Sequence, residues 1–125
     1  MPRIVILQTS PISIDLAHTA LLCGDLRENE DFALVSEVKN AEKLIQPGSR
    51  QLFVTGMVRG DAAAAAEAVG TLRKKNPELV TVEFSSFTPS IDAHFDRRVE
   101  KGVLYTSLLD AITDFDAGTL TRTAP

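Results

Sequence analysis

Cysteine is almost absent from this chain of 125 residues. Cys23 stands alone, so no internal disulfide can form, and a reducing cytoplasm is the expected setting. No apolar run approaches the roughly 18 residues that a membrane-spanning helix needs, so no membrane partner is expected. The chain passes directly from Met1-Pro2-Arg3 into "IVIL", without the extended apolar region and cleavage site of a signal peptide, and none is expected. Positive charge is sparse. The net charge is −4, and the basic clusters are Arg73-Lys74-Lys75 and Arg97-Arg98 with Lys101. Direct nucleic-acid binding requires clustered cations that replace counterions, which argues against it here. The first cluster reads as the cationic last turn of a helix, which the helix dipole explains without a ligand. Neither GxxxxGK[ST] nor GxGxxG occurs, which removes the common nucleotide fingerprints. His18 and His94 have no Cys/His cluster near them, so neither a metal nor a cofactor is expected. Ser85, His94 and Asp92 supply the residue types of a hydrolase triad, but no nucleophile elbow or spacing supports one.

What is present is an alternation. The length and an apolar content of 44% fit one soluble domain, expected over residues 1–117, with a small polar tail at 118–125 expected to be disordered. "RIVILQT" (3–9) is a β-branched run of the kind buried on both faces of a sheet. Pro11 and Ser13 open a helical segment in which Ile12, Leu16, Ala20 and Cys23 recur at helical spacing. Gly24 weakens that pattern without ending it, and Cys23 reads as a small core residue. "FALVSEV" (32–38) is a second strand, and 40–46 a short helix with Asn40 as its N-cap and Pro47-Gly48 as its stop. A third strand covers about 50–56. Asp61 then caps "AAAAAEAVGTLRKKN", whose inward face is expected to hold Ala62, Ala65, Ala66, Val69 and Leu72. A fourth strand lies at 79–85. In "LYTSLLDAITDF", Leu104, Leu108, Ala111, Ile112 and Phe115 share one helical face.

Strands that alternate with helices imply right-handed crossovers and a parallel sheet with helices on both faces. A fifth strand in "HFDRRVEK" would complete an α/β, flavodoxin-like sheet. Function in such sheets gathers outside the carboxyl ends of the strands, which directs attention to Gln8-Thr9-Ser10, Glu37-Val38, Thr55-Gly56, Ser85-Ser86 and Lys101.

Over about residues 3–116 the chain resembles the receiver domains of bacterial response regulators. "IVILQTSP" stands in the place of that family's first strand, acidic pair and proline. "VSEVKNAEKL" resembles its second strand and short helix, and "QLFVTGM" the strand ending in the phosphoacceptor aspartate. "VEFSS" resembles the strand ending in a hydroxyl residue, and "VEKGVLYTSLLDAI" the lysine, turn and last helix. The resemblance implies that the acidic pair falls on Gln8 and Thr9, the phosphoacceptor on Thr55, the sensing hydroxyl on Ser85 and the lysine on Lys101. Magnesium requires hard, charged oxygen ligands, and a glutamine amide with two threonine hydroxyls offers none. A threonine hydroxyl also needs a base to become a nucleophile, which Gln8 and Thr9 cannot supply. The expected protein is therefore a pseudo-receiver, a regulatory module without aspartyl phosphorylation and not an enzyme.

Two readings of the strand edge stay open. Lys101 is either a solvated lysine or, with the hydroxyls of Thr9, Ser10, Thr55 and Ser85, part of an anion site in a flavodoxin-like enzyme or ligand-binding domain. The resemblance also implies a partner face with Phe95, Arg97, Arg98, Tyr105 and Asp110. Its partner would be a protein of the kinase or transcription-regulator class, or a second copy of the chain. The bare alanines Ala63 and Ala64 with Gly70, on the outer face of the third helix, are a further candidate surface.

Overall fold

The computed structural model describes residues 2–56, 62–85, 95–100 and 105–122, with the backbone alone at Ala62 and Ser85. Among the described residues there are five strands: β1 (Ile4–Leu7), β2 (Phe32–Val35), β3 (Leu52–Thr55), β4 (Val80–Ser85) and β5 (Arg97–Glu100). The helices among the described residues are α1 (Pro11–Cys23), α2 (Val38–Leu44), α3 (Ala62–Lys75) and α4 (Thr106–Ala117). The strands form one sheet in the order β2-β1-β3-β4-β5, parallel at every pairing. This is the flavodoxin-like order expected of an open, doubly covered sheet.

The pleat divides the core in two. On one side Ile4, Ile6, Leu52, Val54, Val82 and Phe84 pack against Ala17 and Leu21 of α1 and Leu108, Ala111, Ile112 and Phe115 of α4. On the other, Val5, Leu7 and Phe53 pack against Ala41 of α2 and Ala65, Ala68, Val69 and Leu72 of α3. Continuous apolar strands are what two covered faces require.

Helix ends differ from expectation for local reasons. Ser10 caps α1, accepting from the Ser13 amide at 3.4 Å, and Pro11 takes the first helical position, where its missing N–H costs nothing. Gly24 does end α1, its amide donating to the carbonyls of Ala20 and Leu21. The inward face of α1 is Ala17, Ala20 and Leu21, while Ile12, Leu16 and Cys23 are exposed. Apolar residues surround this helix, so periodicity alone does not single out the buried stripe. α2 begins earlier than expected, with Glu37 as its N-cap and Asn40 inside the first turn. In α3, Ala68 takes the buried place expected of Ala66, and Ala64 is half-buried. The expected cap Asp61 and the apolar Leu104 lie outside the described residues. Packing also continues past α4. Leu120 is buried in the first cluster, its carbonyl accepts from Arg50, and the Arg50 guanidinium lies 3.9 Å over the Phe115 ring.

Two ionic clusters fasten the layers. The Asp96 side chain, 1% exposed, accepts from the Thr81 amide at 2.7 Å and from Arg73 at 3.2 Å. Arg73 also donates to the Thr81 hydroxyl at 3.0 Å, which ties α3 to β4 and to the entry of β5. Burial pushes the Arg73 pKa down, opposed by the Asp96 charge. At the chain start Arg3 grips Asp116 through two hydrogen bonds of 2.8 Å and also reaches Asp31. The Arg27 backbone N–H, followed by the Arg3 guanidinium, holds the Asp31 carboxyl below its usual value.

Asp96→Ala strands a partly buried guanidinium. Urea unfolding should show a loss of about 3 kcal/mol, and a loss under about 1 kcal/mol, the level of an exposed pair, would reject this role. Asp31 has a folded-state pKa below its unfolded one, so its contribution is full above the ordinary carboxylate range. That contribution fades as pH falls through the folded value. Asp31→Asn should therefore lower stability at neutral pH and flatten its decline on acidification. Equal slopes for variant and parent would contradict this.

Candidate functional site at the carboxyl edge of the sheet

The strand register aligns Leu7, Thr55, Glu83 and Arg98 across β1, β3, β4 and β5. Residues paired in this way share a face, and neighbouring strands lie about 4.8 Å apart. Thr55 is fully buried, and its hydroxyl donates to the Leu7 carbonyl at 3.1 Å. Gln8 is the first residue beyond β1. It is 7% exposed, and its backbone N–H donates to the Val35 carbonyl at 3.0 Å. Thr9 is half-buried, and Ser10 serves as the α1 cap. The structure therefore brings Gln8 and Thr55 together at the ends of adjacent central strands. The Ser85 backbone pairs with Glu100 in the last register position of β4 and β5. The Ser85 side chain, Ser86, Lys101, Asp92 and His94 lie outside the described residues.

Sequence reasoning passed over the most charged feature of this edge. Glu83 is buried beside Thr55 in register, and Arg98 Nε donates to its carboxylate at 2.8 Å. The clue was available: an acid within a strand buried on both faces requires a cation, and the edge strand supplies Arg98. Glu37, at the exit of β2, pairs instead with Lys39 at 3.2 Å.

The chemistry open to this arrangement is narrow. Thr55 has one proton, already given to a carbonyl, so an anion there would meet an acceptor. The neighbouring carboxylate is held by a guanidinium, which leaves it poorly suited as the base that a threonine nucleophile needs. Among the described residues no group of three His, Cys, Asp or Glu side chains is placed to hold a metal.

Of the expected partner face, Arg98 and Asp110 are exposed and Arg97 is half-buried, while the two aromatics turn inward. Phe95 and Tyr105 are buried, and Tyr105 meets Phe84 edge-on with centroids 4.9 Å apart. Arg97 is paired with Asp114 and Arg98 with Glu83. Asp110 alone of the five is exposed with no ion pair among the described residues. Phe95 packs in the core cluster under α2 and α3, and Tyr105 in the one under α1 and α4. His18 pairs with Glu28 at 3.3 Å. A cleft of about 480 Å³ lies away from Thr55, between the start of α2 and α3, bordered by Glu37, Lys39, Ala64 and Glu67.

The sequence matches no protein-family model and no curated relative. Solved structures do match. A chain from the crystal structure of the histidine kinase ThkA in complex with the response regulator protein TrrA is similar at 18% identity and a TM-score of 0.69, over 92% of this chain and 98% of that one. A protein described as a pilus assembly protein (cpaE) from Burkholderia thailandensis is similar at 18% identity and a TM-score of 0.61, over 94% and 99%. The shared property is the fold, a receiver-like, flavodoxin-like parallel sheet. No helix among the described residues is long and apolar enough to cross a membrane.

If Glu83 and Arg98 form one unit, Glu83→Gln and Arg98→Gln should not add. A double-mutant cycle by chemical unfolding is expected to give a coupling of about 1 kcal/mol or more. Additivity within error would show the pair to be incidental.

Proposed function

We propose that this chain is a non-catalytic pseudo-receiver, a signalling or regulatory module of the bacterial cytoplasm that acts through protein contacts without aspartyl phosphorylation. The observation that carries this reading is Thr55. At the position where the resemblance places a phosphoacceptor there is a neutral side chain with no exposure, its proton committed to the Leu7 carbonyl. An acyl phosphate forms on an ionised, accessible carboxylate, and this residue is neither ionised nor accessible. The buried amide of Gln8 beside it supplies no charge for Mg²⁺. Protein partnership is supported by the fold shared with the kinase–regulator complex, and a protein of the kinase or transcription-regulator class is the proposed partner.

The alternative, an anion-binding enzyme edge built on Lys101 and hydroxyls, is weakened at two points. Thr55 has no donor left, and Glu83 puts a carboxylate next to it in register. Intact-mass spectrometry after incubation with acetyl phosphate and Mg²⁺ tests the proposal. The expected spectrum is unchanged from that of the untreated protein, whereas a hydroxylamine-labile phosphoryl adduct would overturn the reading.

A further inference from the structure

The amino edge of the sheet, at the opposite end of the strands from Thr55, holds a separate cavity of about 240 Å³. It is bordered by Gly48, Arg50, Glu78, Val80, Thr121 and Arg122. These residues come from the approach to β3, the approach and first residue of β4, and the segment beyond α4 that Leu120 anchors in the core. Arg50 is fixed on one side. Its Nη2 donates to the Leu120 carbonyl at 3.3 Å and its guanidinium lies over Phe115, which leaves Nε and Nη1 without a partner among the described residues. Arg122 is half-buried, and its side chain makes no ion pair among the described residues. Gly48 has a φ of 76°, and nothing lies within 4 Å of where its Cβ would stand, so this wall is open backbone.

Cations gather here in a chain whose net charge is −4. The nearby acids are committed elsewhere: Asp31 and Asp116 to Arg3, and Asp96 to Arg73. Burial lowers the Arg73 pKa, Asp96 opposes the fall, and the Arg122 charge adds to it. Arg122 therefore stands close enough to a second guanidinium to be repelled by it. Glu78 is the one acid bordering the cavity, exposed and without an ion pair among the described residues.

The chemistry of the walls selects the ligand. Guanidinium groups offer donors and no acceptor, in a fork that matches the oxygens of phosphate. Two cations against one carboxylate favour a dianion over a singly charged ion. The volume is below the roughly 300 Å³ at which drug-sized ligands begin to fit, so a single tetrahedral group suits it better than a nucleotide. We infer that this cavity binds a phosphate-class dianion between Arg50 and Arg122. The ion would clamp the segment after α4 onto the approach to β3, since Arg50 already holds Leu120 and Arg122 belongs to that segment. The site does not rest on the protein-contact reading, and the two stand or fall separately.

The probe is inorganic phosphate, titrated into the full ¹⁵N-labelled chain with ionic strength held constant by chloride. Saturable shifts are expected at the Gly48, Thr121 and Arg122 amides and at the Nε–H groups of Arg50 and Arg122. Arg122→Gln breaks no ion pair among the described residues, so it should keep the parent melting temperature while weakening binding about tenfold or more, the worth of one charged hydrogen bond. Arg50→Lys keeps a cation near Phe115 but loses the fork, and should also weaken binding. Glu78→Gln removes the opposing carboxylate and should tighten binding, which damage to the fold would not produce. Phosphate should raise the melting temperature of the parent by mass action and not that of Arg122→Gln. A phosphoserine tripeptide, with its serine counterpart as control, separates two sources of the same group. Tighter binding than phosphate supports a phosphorylated side chain as the ligand, and equal or weaker binding supports the free ion. Shifts that fail to saturate, that chloride alone reproduces or that persist unchanged in Arg122→Gln overturn the inference. So does weaker binding in Glu78→Gln.

Discussion

Every residue of β1 and β3, from Ile4 to Leu7 and from Leu52 to Thr55, has no solvent exposure. That double-sided burial of the two central strands is the constraint on which the rest depends. A strand without exposed residues must find apolar partners above and below, which obliges α1 and α4 to cover one face and α2 and α3 the other. Parallel pairing then places all the strand ends on one edge. The same burial reaches the end of β3, where it captures Thr55. The residue at the tip of the central strand belongs to the core, and its hydroxyl behaves as a core hydroxyl does, paired with a carbonyl.

Charge is arranged consistently with this. Ionised groups near the sheet are paired across elements: Asp96 with Arg73, Glu83 with Arg98, Asp114 with Arg97, and Asp116 with Arg3. Three of these pairs join a strand or its entry to a helix layer, and Glu83–Arg98 joins two adjacent strands, so these contacts orient the fold. A partly buried pair is costly to break and contributes less to net stability than its geometry suggests. Its clearer role is to define which helix lies over which strand. The residues implied as a partner face, Arg97 and Arg98 above all, are absorbed into this bracing, and the exposed apolar surface appears instead on α1.

Much of the architecture was readable in the chain. "IVIL", "QLFV" and "LVTVEF" announce strands covered on both faces, and the inward face of α4 emerges from Leu108, Ala111, Ile112 and Phe115 because, Leu109 apart, the residues between them are polar. The candidate site was readable only in part. Gln8 and Thr55 could be placed at strand ends from the alternation of elements, and their neutrality follows from residue type. That Glu83, an acid in a buried strand, needs a cation was readable, but that the cation is Arg98 was not, because the two meet only through the β4–β5 register.

The sequence by itself determined the class of fold, the number of strands and the absence of acidic residues at Gln8, Thr9 and Thr55, since these depend on local pattern and side-chain chemistry. Tertiary structure decided which face of α1 turns inward, that Leu120 joins the core beyond α4, that Phe95 and Tyr105 are interior, and that Thr55 donates to Leu7. Those outcomes depend on which surfaces meet. A helix that is apolar all round, such as Pro11–Cys23, has no preferred face until a sheet selects Ala17, Ala20 and Leu21, whose small or well-shaped side chains fit the close approach.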